Sequence, residues 1–292
     1  MQTILDALID AGIDTLKLIP FLFLTYLLME FIENKTSKKT QKAIQKSGKF
    51  GPILGGIIGV FPQCGFSTMG ANLYAARIIT LGTLFSIFLS TSDEMLPILI
   101  SEQRNVKEIL IILGIKVVIA IITGLIIDLI IRLYRKAKKK KQFEEEKIEE
   151  ICDKENCHCE EDGIIKSALK HTLNIIIYIF LITLAINILV GFIGEDSIKN
   201  LVLNKPIIGP MISSLIGLIP NCAGSVILTD FYLSGVINIG TMIGGLLTNC
   251  GIGMLVLFKV NKNKKENLKI LGLAYLIGVI WGIILSVLPI TI

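Results

Sequence analysis

Two stretches of this chain, Ile109–Ile131 and Thr172–Ile193, stay apolar long enough to cross a hydrocarbon core of ~30 Å at ~1.5 Å per helical residue. No other feature restricts the fold as much, because lipid offers no partner to an exposed backbone amide or carbonyl. An interrupted backbone survives there only where protein or a water-filled cavity satisfies the freed groups. With 52% apolar residues and a mean hydropathy of +0.72, the 292-residue chain is too hydrophobic for an ordinary soluble domain. The expectation is an all-α polytopic membrane protein.

Further spans are expected at Leu16–Ile32, which carries Pro20, and at Ile270–Leu288. Ahead of them, Met1–Leu16 sets Ile4, Leu5, Leu8, Ile9 and Ile13 on one helical face and Asp6, Asp10 and Asp14 on the other. That pattern suits an interfacial helix or an acidic funnel at a pore mouth. These acidic first residues lack a positive n-region, so no cleavable signal peptide is expected. The region Gly51–Ile100 is apolar but broken by Pro62, Gly65, Gly70, Gly82, Asp93, Glu94 and Pro97. Its residues barely hold three spans of ~17 residues each, so short, broken or re-entrant helices are expected in place of three straight rods.

The break Phe61-Pro62-Gln63-Cys64-Gly65-Phe66-Ser67 occurs twice, the second time as Ile219-Pro220-Asn221-Cys222-Ala223-Gly224-Ser225. Subtracting 64 from 222 gives an offset of 158, and it holds without a gap across the surrounding sequence. It pairs Gly51-Pro52 with Gly209-Pro210, Pro62 with Pro220, Ser67 with Ser225, Tyr74 with Tyr232, Glu108 with Glu266 and Gly124 with Gly282. Chance apolar similarity would align Leu with Ile, not Gly, Pro, Cys and Tyr. The chain is therefore expected to be a duplication: membrane repeats at 1–133 and 164–292 joined by a charged linker at 134–163.

Lysines crowd the loops at 35–49, 132–147 and 259–269, while 101–108 and 195–205 are nearly balanced. The positive-inside rule puts the first three in the cytoplasm. Loops related by the repeat then fall on opposite sides, which requires an odd number of crossings per half. The result is two inverted-topology repeats of about five spans each, with both termini outside and the linker inside. The net charge of +5 thus speaks to orientation in a bilayer and not to nucleic acid.

Proline lacks an N–H and clashes with the carbonyl four residues back, so a helix entering Pro62 or Pro220 must stop or kink. Paired breaks in corresponding positions of two halves are the best sequence pointer to a transporter's substrate site. The candidate substrate-binding residues are Gln63, Cys64, Ser67, Asn221, Cys222 and Ser225, around helix breaks marked by Pro62, Gly65 and Pro220. Thiols favour soft metals, amides and carbonyls harder ones, and this set mixes both. The alternative is that small polar residues and buried cysteines simply pack.

Asp93 and Glu94 stand in the same interrupted region, where ionisable groups are costly and usually face a partner or a pathway. Their counterparts are Gly251 and Ile252, beside Asn249 and Cys250, which join the candidate list; the acids either assist a cation or coupling-proton site or cap a helix. Asp230 is a further candidate, whereas Lys116 and Arg77 are expected to snorkel or to neutralise an acid. No cofactor is expected, unless Cys152, Cys157, His158 and Cys159 in the linker hold a metal ion with their soft ligands; the alternative is a reduced linker with incidental cysteines. The six cysteines form no secreted disulfide framework.

No GxxxxGK[ST], GxSxG or HExxH occurs, so nucleotide-driven pumping within the chain and hydrolysis are not supported. The reading is a secondary transporter of a metal ion or metalloid, not an enzyme. Its partners would be the bilayer, the cargo and, if it self-associates, further copies as a homo-oligomer. A membrane thiol–disulfide enzyme using the same cysteines, and a carrier of a small organic solute, are the rivals; the first usually needs a CxxC, which is missing.

With these residues assembled, the chain resembles a family of bacterial ten-span permeases described as heavy-metal exporters and labelled arsenic-efflux proteins or manganese transporters. The likeness rests on Phe61-Pro62-Gln63-Cys64-Gly65, Ser90-Thr91-Ser92-Asp93-Glu94, the Cys/His linker and Ile219-Pro220-Asn221-Cys222-Ala223. It implies efflux of manganese, zinc or an arsenite-like species across the bacterial cytoplasmic membrane. The linker departs from the pattern, with one histidine where a His-rich tract is expected.

Overall fold

The computed structural model describes residues 50–61, 64–92, 94–137, 164–193 and 205–288, together with part of 8–27, which is helical. Gln63, Pro62, Asp93 and the whole Cys152–Cys159 cluster lie outside the described residues. All regular structure among the described residues is α-helical.

The first half contributes α1 (Gly51–Ile58), α2 (Cys64–Ala75), α3 (Leu81–Ser90), α4 (Met95–Ser101) and α5 (Val106–Ala137). After α6 (Ile164–Ile193), the second contributes α7 (Ile208–Gly217), α8 (Ala223–Leu233), α9 (Ile239–Thr248), α10 (Gly253–Val260) and α11 (Lys264–Val287). The interrupted region is thus four short helices, in keeping with its scattered Pro and Gly. The starts of α3, α4 and α5 and those of α9, α10 and α11 differ by the same interval that separates Cys64 from Cys222, 158 positions.

Among the described residues, four helical stretches are long and apolar enough to cross a membrane: Leu81–Ser101, Val106–Tyr134, Ile239–Val260 and Lys264–Val287. The expected span Ile109–Ile131 lies inside α5, Thr172–Ile193 inside α6, and all but the last residue of Ile270–Leu288 inside α11.

At the centre are α3 and α9. Residues 82–90 of α3 and 240–248 of α9 are buried without exception. A helix apolar on every side must be surrounded, and these two are: α3 packs on α1, α2 and α5, α9 on α7, α8 and α11, and the two touch each other. The outer helices α5 and α11 expose Val118, Ile122, Leu129, Leu276 and Ile280, a surface suited to lipid. Close approach within each half depends on glycine. A side chain at Gly124 would stand 2.0 Å from Ser86 Oγ, and one at Gly282 2.8 Å from Pro210.

Both central helices start on a side-chain cap. Thr80 accepts from the Thr83 N–H at 3.1 Å, and Asn238 from the Thr241 N–H at 2.8 Å. Each cap is held by the long helix of its own half, Thr80 donating to Asp128 at 2.7 Å and Ser286 donating to Asn238 at 3.0 Å. Asp128 also accepts from the Gly82 N–H at 2.9 Å. This buried acid is therefore part of a helix cap.

Contacts between the halves are exchanged. Helix α2 packs on α10 of the second half, and α8 packs on α4 of the first. Tyr74 donates to Glu266, while Tyr232 donates to Glu108 at 2.9 Å. The partners of Tyr74 and Tyr232 are themselves 158 positions apart, like the two tyrosines.

Candidate functional site

Helix α1 ends at Ile58 and α2 begins at Cys64, and likewise α7 ends at Gly217 and α8 begins at Ala223, with Pro220 between them. Beyond each break a helix begins with a cysteine at its head: Cys64 is the first residue of α2 and Cys222 the N-cap of α8. The two starts meet, with the sulfurs 3.3 Å apart. Both residues are thiols, as is Cys250. The two cysteines are 158 positions apart, and a second contact joins residues at that same interval, the Trp281 indole N–H donating to Thr123 Oγ1 at 3.1 Å.

The serines of the motif do a local job. Ser67 Oγ donates to the Cys64 carbonyl and Ser225 Oγ to the Cys222 carbonyl, both at 2.8 Å, tying the first turn of each helix. Their hydroxyl hydrogens are thereby committed. Gly65, expected in the break, is the second residue of α2, with its carbonyl accepting from Thr68 at 2.8 Å. Asn221 is buried beside Cys222.

A second pair of breaks separates α3 from α4 and α9 from α10. In the second half it holds Asn249, Cys250 and Gly251. Cys250 Sγ donates to the Thr248 carbonyl at 3.4 Å, and the Asn249 side-chain oxygen accepts from the Gly251 N–H at 2.9 Å. Gly251 sits at φ +53°, a region that favours glycine. This break is bracketed by the first turns of both cysteine helices. A side chain at Gly224 of α8 would stand 3.2 Å from the Asn249 amide nitrogen, and one at Gly253 of α10 would stand 2.8 Å from Ser67 of α2. The sequence distance from Cys222 to Asn249 conceals this proximity.

The break in the first half is closed by its own bonds. Ser92 Oγ donates to the Val60 carbonyl at 2.5 Å, and the Lys116 ammonium donates to the Thr91 carbonyl. Lys116 is 1% exposed, so the expected snorkelling does not occur; its charge is spent on a carbonyl freed where α3 ends. Its counterpart at the same interval is Ala274. Glu94 is half-buried at the N-cap of α4 without a side-chain capping bond, and Asp230 is exposed.

Arg77 does neutralise an acid. Its guanidinium donates to Glu266 at 2.9 and 3.0 Å, beside Tyr74, and the Asn261 amide adds a bond to Glu266 at 3.3 Å. The matching contact is looser: Glu108 takes the Tyr232 bond and faces Arg104 at 3.8 Å. Tyr74 and Tyr232 each lie ten positions beyond their cysteine, ~15 Å along a helix.

Among the described residues no group of three His, Cys, Asp or Glu side chains is placed to hold a metal ion unaided. The site offers two thiols, two helix starts whose unsatisfied N–H groups carry positive potential, and side-chain amides.

No curated protein and no solved structure matches the chain. Residues 2–195 and 180–290 match the sequence profile of a membrane-transport family with the description "Putative, 10TM heavy-metal exporter". These two stretches cover nearly the whole chain and include both cysteine helices and their breaks, so the protein belongs to this heavy-metal exporter family.

Proposed function

We propose that the protein is a secondary efflux permease for a metal ion or metalloid, working by alternating access around Cys64 and Cys222. The observation that carries this reading is the 3.3 Å thiol–thiol contact where two broken helices begin, in a chain whose family is one of metal transporters. Soft ligands at paired helix breaks suit a thiophilic cargo, and side-chain and backbone amides suit whatever ligands that cargo retains.

The exchanged contacts support two inverted repeats. From the cysteines, α2 runs to Tyr74 and Glu266 while α8 runs to Tyr232 and Glu108. Each leg of ~15 Å is half of a ~30 Å hydrocarbon core. The thiols then sit near the midplane with one polar clasp toward each face. Glu266 adjoins the lysine-rich loop, so its clasp is the cytoplasmic one. Transport alternates which clasp is closed, and the tight cytoplasmic clasp beside a loose outer one describes an outward-leaning state. Glu94 and Asp93 belong to the charge balance of the first-half break, and the 152–159 cysteines and histidine to metal capture in the cytoplasmic linker.

The test is whole-cell transport of manganese, zinc and arsenite, read by elemental analysis, with and without Cys64→Ala plus Cys222→Ala. Loss of transport of at least one species is expected; unchanged transport of all three rejects the site. The same sulfur contact also suits a thiol–disulfide enzyme. A Cys64–Cys222 disulfide that cycles with a quinone or thiol partner, in cells that move no metal, would favour that second reading.

A further inference from the structure

We infer that Asn249 reads the cargo, donating a hydrogen bond from its side-chain amide to an acceptor atom that the cargo itself carries, a hydroxide, oxo or water ligand on its metal or metalloid centre. This rests on the Cys64–Cys222 site proposed above and adds to it a specificity-determining contact from a helix break far along the chain.

The Asn249 side chain is held in one orientation. Its oxygen is engaged by the Gly251 N–H at 2.9 Å, which turns the amide nitrogen the opposite way. That nitrogen is buried and has no hydrogen-bond partner, in a residue only 2% exposed. Buried donors are nearly always satisfied, because an unpaired one forfeits its hydration. A donor left open beside a binding site is one whose partner arrives with the ligand. The nitrogen faces the first turn of α8 at Gly224, where an added Cβ would stand 3.2 Å from it, a close contact that a small shift relieves.

The surroundings say what would be bound. Two helix starts and an amide nitrogen supply donors and positive potential, while the described residues supply no cluster of acidic or imidazole ligands for a bare cation. The missing partner is an acceptor. A centre held by two sulfurs that keeps an oxygen ligand provides it; a fully stripped hard ion does not. The first half offers no equivalent, since Thr91 stands in place of Asn249 and its carbonyl already receives the Lys116 ammonium.

The experiment uses the purified full-length protein and measures how well arsenite, Zn(II) and Mn(II) protect Cys64 and Cys222 from N-ethylmaleimide, read by mass spectrometry. For each probe that protects the native protein, Asn249→Ala should raise the concentration required by roughly three- to tenfold. Asn249→Asp, which replaces the donor with a charged acceptor, should do at least the same for arsenite while improving protection by Mn(II). If either variant fails to fold, Gly224→Ser decides: its hydroxyl gives the amide nitrogen an internal partner, so protection should weaken in a protein that still melts cooperatively. Native concentrations in the folded variants overturn this inference alone. Failure of every probe on the native protein overturns it together with the cysteine site.

Discussion

Arg77 grips Glu266 with both arms of its guanidinium, at 2.9 and 3.0 Å, from a backbone at φ +58° that its repeat counterpart Gly235 adopts at +72°. A left-handed backbone at a non-glycine residue costs on the order of 1 kcal/mol. The turn after α2 therefore keeps an arginine where the equivalent turn keeps glycine, and the charge-assisted pair to the other half offsets the strain.

Arg77→Gly is accordingly expected to preserve the fold, since the turn suits glycine, while releasing the clasp. In inside-out vesicles, alkylation of Cys64 and Cys222 by a membrane-impermeant maleimide should speed up on the order of tenfold. An unchanged rate with native melting would show that the pair does not close that face.

Glu108→Gln should do far less. Its charged partner Arg104 is 3.8 Å away and 39% exposed, an arrangement worth well under ~1 kcal/mol, and glutamine can still accept from Tyr232. Right-side-out vesicles should show a change in alkylation of less than about threefold. A larger change would mean that the outer clasp depends on charge.

Oxidation tests the sulfur contact directly. In a chain retaining only Cys64 and Cys222, diamide should take one hydrogen from each thiol, becoming the hydrazine, and leave a disulfide. The sulfurs need to close from 3.3 Å to ~2.05 Å. Intact mass should fall by two hydrogens, with transport stopping until dithiothreitol is added. Intermolecular dimers in place of the internal bond would contradict the contact.

The glycines separate packing from helix propensity. Gly124→Ala drives its methyl against Ser86 Oγ at 2.0 Å and the Gly82 carbonyl at 2.5 Å, and should cost ~1–3 kcal/mol. Gly114→Ala and Gly272→Ala meet nothing within 4 Å and should each stabilise their helix by up to ~1 kcal/mol. Thermal melts in detergent would read all three, and equal effects would reject the packing account.

Residue order alone carries the helical membrane character, the breaks at the Pro-x-Cys motifs and the 158-residue interval between matching Gly, Pro, Cys and Tyr positions. Each depends on local physics: apolar runs against lipid, a proline without an N–H, and matched Gly, Pro and Cys at one interval. The short helices of the interrupted region come from the same punctuation. Tertiary structure alone decides which residues meet. Asn249 stands beside Gly224, Tyr74 reaches Glu266 and Lys116 turns inward to Thr91 because helices of the two halves exchange partners, and such contacts across the chain leave no mark in local spacing. The motif serines show the converse. Their regular placement suggests ligands, yet a hydroxyl three residues into a helix finds the backbone carbonyl of its own first turn before it finds a cargo.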